Sequence, residues 1–132
     1  MRLLLDTHVL LWSLLEPERL SEGAARELED PDNELWLSPI SVWETIVLAE
    51  KNRIEIAGDT PEAWLRTVFE QAPLREAVLG FEVAMQSRNI DLPHQDPADR
   101  FIAATALVYD LVLLTADERL LACGQIETMS CQ

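Results

Sequence analysis

Residues 3–12, Leu3-Leu4-Leu5-Asp6-Thr7-His8-Val9-Leu10-Leu11-Trp12, decide the fold. Three consecutive leucines suit a short strand covered on both faces, as the strands of parallel sheets are. Asp6 ends the run, and the next stretch carries Val9, Leu10, Trp12, Leu14 and Leu15, too apolar for an exposed helix and suited to one packed on the sheet. Pro17 breaks it. Ser21 is a good N-cap for a second helix over 22–30, with Ala24, Ala25 and Leu28 on its inner face. Asp30, Pro31, Asp32 and Asn33 then form a turn cluster.

The alternation continues along the chain. Leu35, Trp36 and Leu37 read as a second strand that leads through Ser38-Pro39 into a helix over about 40–51. Residues 60–89 read as two or three helices with Trp64, Leu65, Val68, Phe69, Val78, Leu79, Val83 and Met85 on their apolar faces. Asp96-Pro97 opens a helix over 98–109, residues 111–114 form another β-like run ending at Thr115, and a short helix after Asp117 and a weak strand over 126–129 close the chain. Strands alternating with helices predict an α/β domain with a mainly parallel sheet and right-handed crossovers. A length of 132 residues with 48% hydrophobic content suits one compact domain over 1–132.

Charge narrows the function. Against 24 acidic residues stand 10 basic ones, a formal net charge of −14, which argues against a broad, sequence-independent grip on nucleic acid. A nuclease is still compatible, because a metal cluster supplies its own positive charge. All the basic residues but Lys51 are arginines, which suit bidentate phosphate contacts but are more often ion-pair partners on an acidic surface. Cys123 and Cys131 have no disulfide-framework or zinc spacing. Asp6 and His8 interrupt the apolar start, so it does not read as a signal peptide, and no run reaches the roughly 18 to 20 apolar residues that span a bilayer. A soluble cytoplasmic protein is expected.

Four carboxylates fall where the chain leaves a strand or enters a helix: Asp6, Glu44, Asp99 and Asp117. In a parallel sheet such positions converge at the carboxyl edge, where ligands bind. Like charges held close together cannot all stay ionised unless a cation lies between them, and oxygen-only ligands suit Mg²⁺ or Mn²⁺. Each acid also has a capping role to set beside the metal. Asp6 and Asp117 stand at N-cap positions, and Glu44 completes an S-x-x-E capping box with Ser41, although Pro39 at the first helical position with Ser38 as cap puts Glu44 more than a turn inside the helix. Asp96 is assigned mainly to the cap before Pro97, with outer-sphere or direct metal involvement as its second reading, and Asp99 to the metal. Thr7 either orients Asp6 or fills the first helical turn; His8 is expected as a packed or capping residue; Thr115 is placed to bond a ligand carboxylate or a water. Arg100 is read either as a phosphate contact or as an ion-pair partner.

The segments LLLDTHVLLW, SPISVWE, LPHQDPADRFIAATA and LLTAD, in this order and spacing, resemble the PIN-domain ribonucleases, most of all the VapC-type toxins of bacterial toxin–antitoxin pairs. The resemblance spans nearly the whole chain and is weakest over 60–89. It implies a three-layer α/β/α sandwich, and an acidic quartet on Asp6, Glu44, Asp99 and Asp117 with an extra acid at Asp96. It also implies a Mg²⁺- or Mn²⁺-dependent endoribonuclease that leaves a 5′-phosphate and a 3′-hydroxyl, a homodimer, and a cognate antitoxin whose tail enters the acidic groove. Asp6, Asp99 and Asp117 would be inner metal ligands, and Glu44 a ligand or a water-orienting base. The chain departs from the family's pattern at Ala98, where many relatives carry an aromatic residue, and at Asn52, where Gly is common. The alternative reading is a catalytically inactive PIN-like scaffold that binds RNA or a partner protein. A receiver domain would need an acidic pair at the first strand and a late Lys, and an Asp-nucleophile phosphohydrolase a second acid where His8 stands; neither pattern is present.

Overall fold

The computed structural model describes residues 1–58, 60–93 and 95–132, so His94 of the third quoted segment lies outside the described residues. Among these, five strands form one sheet: β1 (Arg2–Leu5), β2 (Glu34–Leu37), β3 (Leu74–Glu76), β4 (Val112–Thr115) and β5 (Thr128–Ser130). Their order is β3-β2-β1-β4-β5 and every pairing is parallel. The helices are α1 (Thr7–Leu15), α2 (Glu22–Glu29), α3 (Pro39–Glu50), α4 (Pro61–Gln71), α5 (Phe81–Gln86), α6 (Pro97–Tyr109) and α7 (Glu118–Leu121), with a 3-10 turn at Pro17–Arg19.

The three opening leucines divide between two cores, because successive strand residues face opposite sides of the sheet. Leu4 packs with Ile102, Ala103, Ala106, Leu113 and Leu120 on one face. Leu3 and Leu5 pack with Val9, Leu10, Ala24 and Leu114 on the other. Two faces, each covered by helices, make the three-layer α/β/α arrangement expected. The alanines of α6, Ala103, Ala104 and Ala106, are almost wholly buried, and their small side chains let the helix lie close against the sheet. No described helix is long and apolar enough to cross a membrane.

Strand order places the site. From β1 the sheet grows one way to β2 and β3 and the other way to β4 and β5, so the carboxyl ends of β1 and β4 flank the point at which the winding reverses. Open α/β sheets present a crevice there. Asp6 follows β1 directly, and Asp117 follows β4 by two residues.

The middle of the chain departs from expectation. Leu74-Arg75-Glu76 is an edge strand paired to Leu35, Trp36 and Leu37, where only helices were expected. One leucine between charged neighbours has no strand periodicity; the free edge of β2 specifies it. Leu65, Val68 and Val83 are buried, but Phe69, Val78 and Met85 are 44%, 53% and 58% exposed, so they are not the core faces the sequence suggested.

Asn52 ends α3 in the left-handed region, with φ 57°. Its N–H bonds the Ala49 carbonyl and that of Arg53 the Leu48 carbonyl, the pattern that favours Gly or Asn after a helix. We predict that Asn52→Val costs about 1–2 kcal/mol and Asn52→Gly less than about 0.5 kcal/mol, measured by urea unfolding.

Candidate active site

All five candidate acids line one open cleft of about 540 Å³, together with His8, Trp12, Arg19, Ala116 and Arg119. Asp6 is the deepest, 9% exposed. Its backbone N–H extends the sheet by bonding the Leu114 carbonyl at 3.0 Å. Its carboxylate is held at both oxygens: Oδ1 accepts from the Thr7 N–H at 2.8 Å, and Oδ2 from the Thr115 hydroxyl at 2.6 Å. Thr115 in turn accepts from the Asp117 N–H at 3.0 Å. One fully buried hydroxyl thus ties the end of β1 to the start of α7. Thr115→Val keeps the shape and removes both bonds, and we predict a roughly tenfold or greater fall in turnover, with the fold retained by circular dichroism.

Glu44 stands inside α3, whose cap is Ser38 accepting from the Ile40 N–H, with Pro39 in the first position. The capping box with Ser41 is therefore not formed. The Thr7 hydroxyl lies 2.6 Å from Glu44 Oε1 and 2.8 Å from Ser41 Oγ. A hydroxyl has one proton and an ionised carboxylate only accepts, so Thr7 donates to Glu44 and receives from Ser41. Thr7 fills the first turn of α1 and orients Glu44 through its hydroxyl, while its N–H orients Asp6.

Asp96 caps α6, accepting from the Ala98 N–H at 3.0 Å, and Asp99 stands in the first turn of that helix. Asp117 caps α7, accepting from the Arg119 N–H at 2.8 Å. Capping and lining the cleft are therefore compatible for Asp6, Asp96 and Asp117.

The electrostatics bind these acids together. Burial, and after it the charges of Asp96, Asp6, Asp117 and Glu44, push the Asp99 carboxyl up to about 7. Burial also raises Asp6 and Glu44, against the hydrogen bonds from Thr115 and Thr7. Asp117 moves the other way, because the Arg119 guanidinium grips it, with Nη2 at 3.0 Å from Oδ2. The same Nη2 lies 3.9 Å from Asp99 Oδ2.

The donor set fits a hard divalent cation. It is all oxygen, burial and then the repulsion of the neighbouring acids lift the Asp99 carboxyl to about 7, and a cation between the carboxylates would relieve that repulsion. Among the described residues, however, no group of three or more His, Cys, Asp or Glu side chains is drawn close enough to hold an ion. The acids converge on one cleft without forming a tight cage, and Arg119 supplies the positive charge between Asp117 and Asp99.

Three residues depart from expectation. Arg100 does not stand at the surface: it is 5% exposed and donates to the carbonyls of Ser87 at 2.9 Å and Ile90 at 2.6 Å. His8 is neither packed nor capping; it is exposed on the cleft wall, its ring 5.9 Å from that of Trp12. Arg119 was not singled out in the sequence: it folds back on Asp117 from two residues away, a spacing outside the i,i+3 and i,i+4 pairs that a helical pattern signals.

The sequence profile of the PIN domain matches residues 3–124. Over 120 residues the chain is 38% identical to Ribonuclease VapC22 of Mycobacterium tuberculosis, taking in 89% of this chain and 88% of that protein. Among solved structures, VapBC2 from Rickettsia felis bound to a DNA fragment from their promoter superposes with a TM-score of 0.74 at 12% identity, covering 100% of both chains. VapBC-1 from nontypeable Haemophilus influenzae gives 0.64 at 17% identity, over 98% of each chain. At these identities the structural likeness speaks for the fold.

Proposed function

The chain belongs to the PIN-domain family, and we propose that it is an endoribonuclease, the toxin of a toxin–antitoxin pair, which hydrolyses RNA phosphodiester bonds in the acidic cleft. The observation that carries this reading is the convergence of Asp6, Glu44, Asp96, Asp99 and Asp117 on one cleft at the carboxyl edge of the sheet. The kinship with Ribonuclease VapC22 supports RNA as the substrate, and an RNA substrate suits a cytoplasmic site of action. The profile match over nearly the whole length supports taking residues 1–132 as one PIN-like domain.

Asp6, Asp99 and Asp117 would hold a Mg²⁺ or Mn²⁺ ion, with Glu44 and Asp96 beside them. Such an ion polarises a scissile phosphate and makes an attacking water more acidic. The chain's own residues do the positioning. Thr115 and the Thr7 N–H fix both oxygens of Asp6, so this deepest carboxylate cannot turn away. Glu44 takes the proton of the water: its Oε1 is occupied by Thr7, which leaves Oε2, and its raised pKa brings it nearer the working range of a general base. Arg119, exposed at the rim, is placed to accept a phosphate once Asp117 is otherwise neutralised.

Partners follow from the same surface. A basic antitoxin tail suits a chain of net charge −14 and a cleft lined by acids. Phe69, Val78, Phe81 and Met85 are exposed apolar side chains, and burying them against a second copy would give the homodimer.

The test is cleavage of a mixed structured and single-stranded RNA pool with Mg²⁺, with Mn²⁺ and with chelator, beside an Asp6→Asn, Asp99→Asn double variant. Metal-dependent cleavage lost in the variant is expected. Full cleavage in chelator would remove the metal from the proposal, and RNA binding without cleavage under every condition would turn the reading to a scaffold.

A further inference from the structure

A second hollow, of about 230 Å³, continues the acidic cleft. The two share His8, Trp12 and Arg19, and beyond them the hollow is walled by Leu48, Arg53 and Ile54. Its composition is the reverse of the cleft's: apolar side chains with an arginine on two sides, and Glu16 as its acid. We infer that this hollow is the subsite for the nucleotide flanking the scissile phosphate, with its base against the apolar wall and its phosphates on Arg19 and Arg53. The inference rests on the ribonuclease reading above and adds to it where the substrate strand lies.

The charge pattern carries the argument. An RNA strand approaching a chain of net charge −14 needs local cations. Arg100 is buried, and Arg2, Arg26, Arg66, Arg75 and Arg88 line neither hollow. Arg119, Arg19 and Arg53 instead line the cleft and its continuation. They trace a path over the acidic floor from α7 to the far end of α3.

Both arginines of the hollow stand on ordered backbone. Arg19 closes the 3-10 turn at Pro17–Arg19, and its guanidinium lies 4.3 Å over the Trp12 ring. Its ion pair with Glu16, at 3.2 Å, is half exposed at both ends and is the kind a phosphate can displace. Arg53 follows the left-handed Asn52, and its N–H is tied to the Leu48 carbonyl at 2.9 Å. Ordered anchors lose less freedom when they bind. A volume of about 230 Å³ lies below the roughly 300–1,000 Å³ of sites that enclose drug-sized ligands, which suits one nucleotide rather than a folded segment of a protein partner.

The experiment uses the full chain with Asp99→Asn as the non-cleaving background, Mg²⁺ present, and a fluorescent mixed-sequence single-stranded RNA. Binding is measured from low to moderate salt with Arg19 and Arg53 intact, with each changed to Gln, and with both changed. The slope of log affinity against log salt should flatten by about 0.7 for each arginine and about 1.4 for the pair. Arg66→Gln on α4 should leave it unchanged. In the otherwise native enzyme, Arg19→Gln with Arg53→Gln should raise KM about tenfold with kcat within about twofold, the signature of lost uniform binding, and leave Tm in place. If the native chain cuts RNA but the double variant keeps both slope and KM, the subsite is wrong and the ribonuclease reading stands. If the native chain neither binds nor cuts RNA, both fall.

Discussion

Asp99→Asn abolishes RNA cleavage and, in metal-free buffer at pH 8, makes the protein more stable than the native chain. The two halves have one cause. Asp99 sits in the first turn of α6 facing Asp96, Asp6, Asp117 and Glu44, and burial together with their charges lifts its carboxyl to about 7 from an ordinary 3.8. Between those values the folded chain holds a proton that the unfolded chain has released. The contribution of Asp99 to the stability of the metal-free protein is therefore greatest near and below pH 4, falls as pH rises, and levels off above about 7. Three units correspond to a ceiling of about 4 kcal/mol, and Asn, which never ionises, recovers most of it. Asp6 and Glu44 are raised as well, so they steepen the decline in the same direction.

A divalent ion reverses the balance for the native chain and much less for the variant. At pH 8, millimolar Mg²⁺ should raise the native Tm by several degrees and leave Asp99→Asn nearly unmoved; at pH 5, where Asp99 of the metal-free protein is mostly protonated, both responses should shrink. Cleavage by the variant should fall about 1,000-fold or more, equivalent to some 4 kcal/mol of barrier. Calorimetric scans at the two pH values with and without Mg²⁺, beside a cleavage assay, measure every arm. A variant less stable than the native chain at pH 8 without metal would mean that the attraction of Asp99 to Arg119 and its other contacts outweighs the repulsion of the surrounding acids.

Which parts of this were readable in the sequence follows from how local each determinant is. Leu3-Leu4-Leu5 followed by Asp6 states strand, exit and cap within four residues, and Asp96-Pro97 states the start of α6 in two. Most of the sheet, the caps of α1, α2, α3, α6 and α7, and the gathering of five acids could be read from such signals. Determinants that act across the chain could not. β3 exists because β2 offers a free edge, and nothing in Leu74-Arg75-Glu76 announces that. Thr7 bonds Glu44 from 37 residues away, and Thr115 bonds Asp6 from 109. Their hydroxyls were suspected, but the partner of Thr7's was not. The exposed side of α4 and α5 shows the converse: a helical apolar pattern states which residues are apolar, not which of them this chain alone will cover.

Arg100→Gln should destabilise the protein without altering how it meets RNA, and that contrast separates the two roles an arginine beside Asp99 invites. The guanidinium is 5% exposed and donates from Nε to the Ser87 carbonyl and from Nη2 to the Ile90 carbonyl. It fastens the end of α5 and the chain beyond it to the helix that carries Asp99. Removing it leaves the Ser87 carbonyl without its donor and the Ile90 carbonyl with the Leu92 N–H alone, at about 1–3 kcal/mol each, or roughly 4 kcal/mol in all. For a chain of this length that lowers Tm by roughly 10–15 °C. Lys does not rescue it, because one ammonium on a flexible stem cannot reproduce the planar fork that reaches both carbonyls. At 15 °C, where enough of the variant stays folded, the salt slope of RNA binding should match that of the native chain. A flattened slope with an unchanged Tm would instead put Arg100 on a phosphate, and would mean that the segment after α5 moves aside when RNA binds.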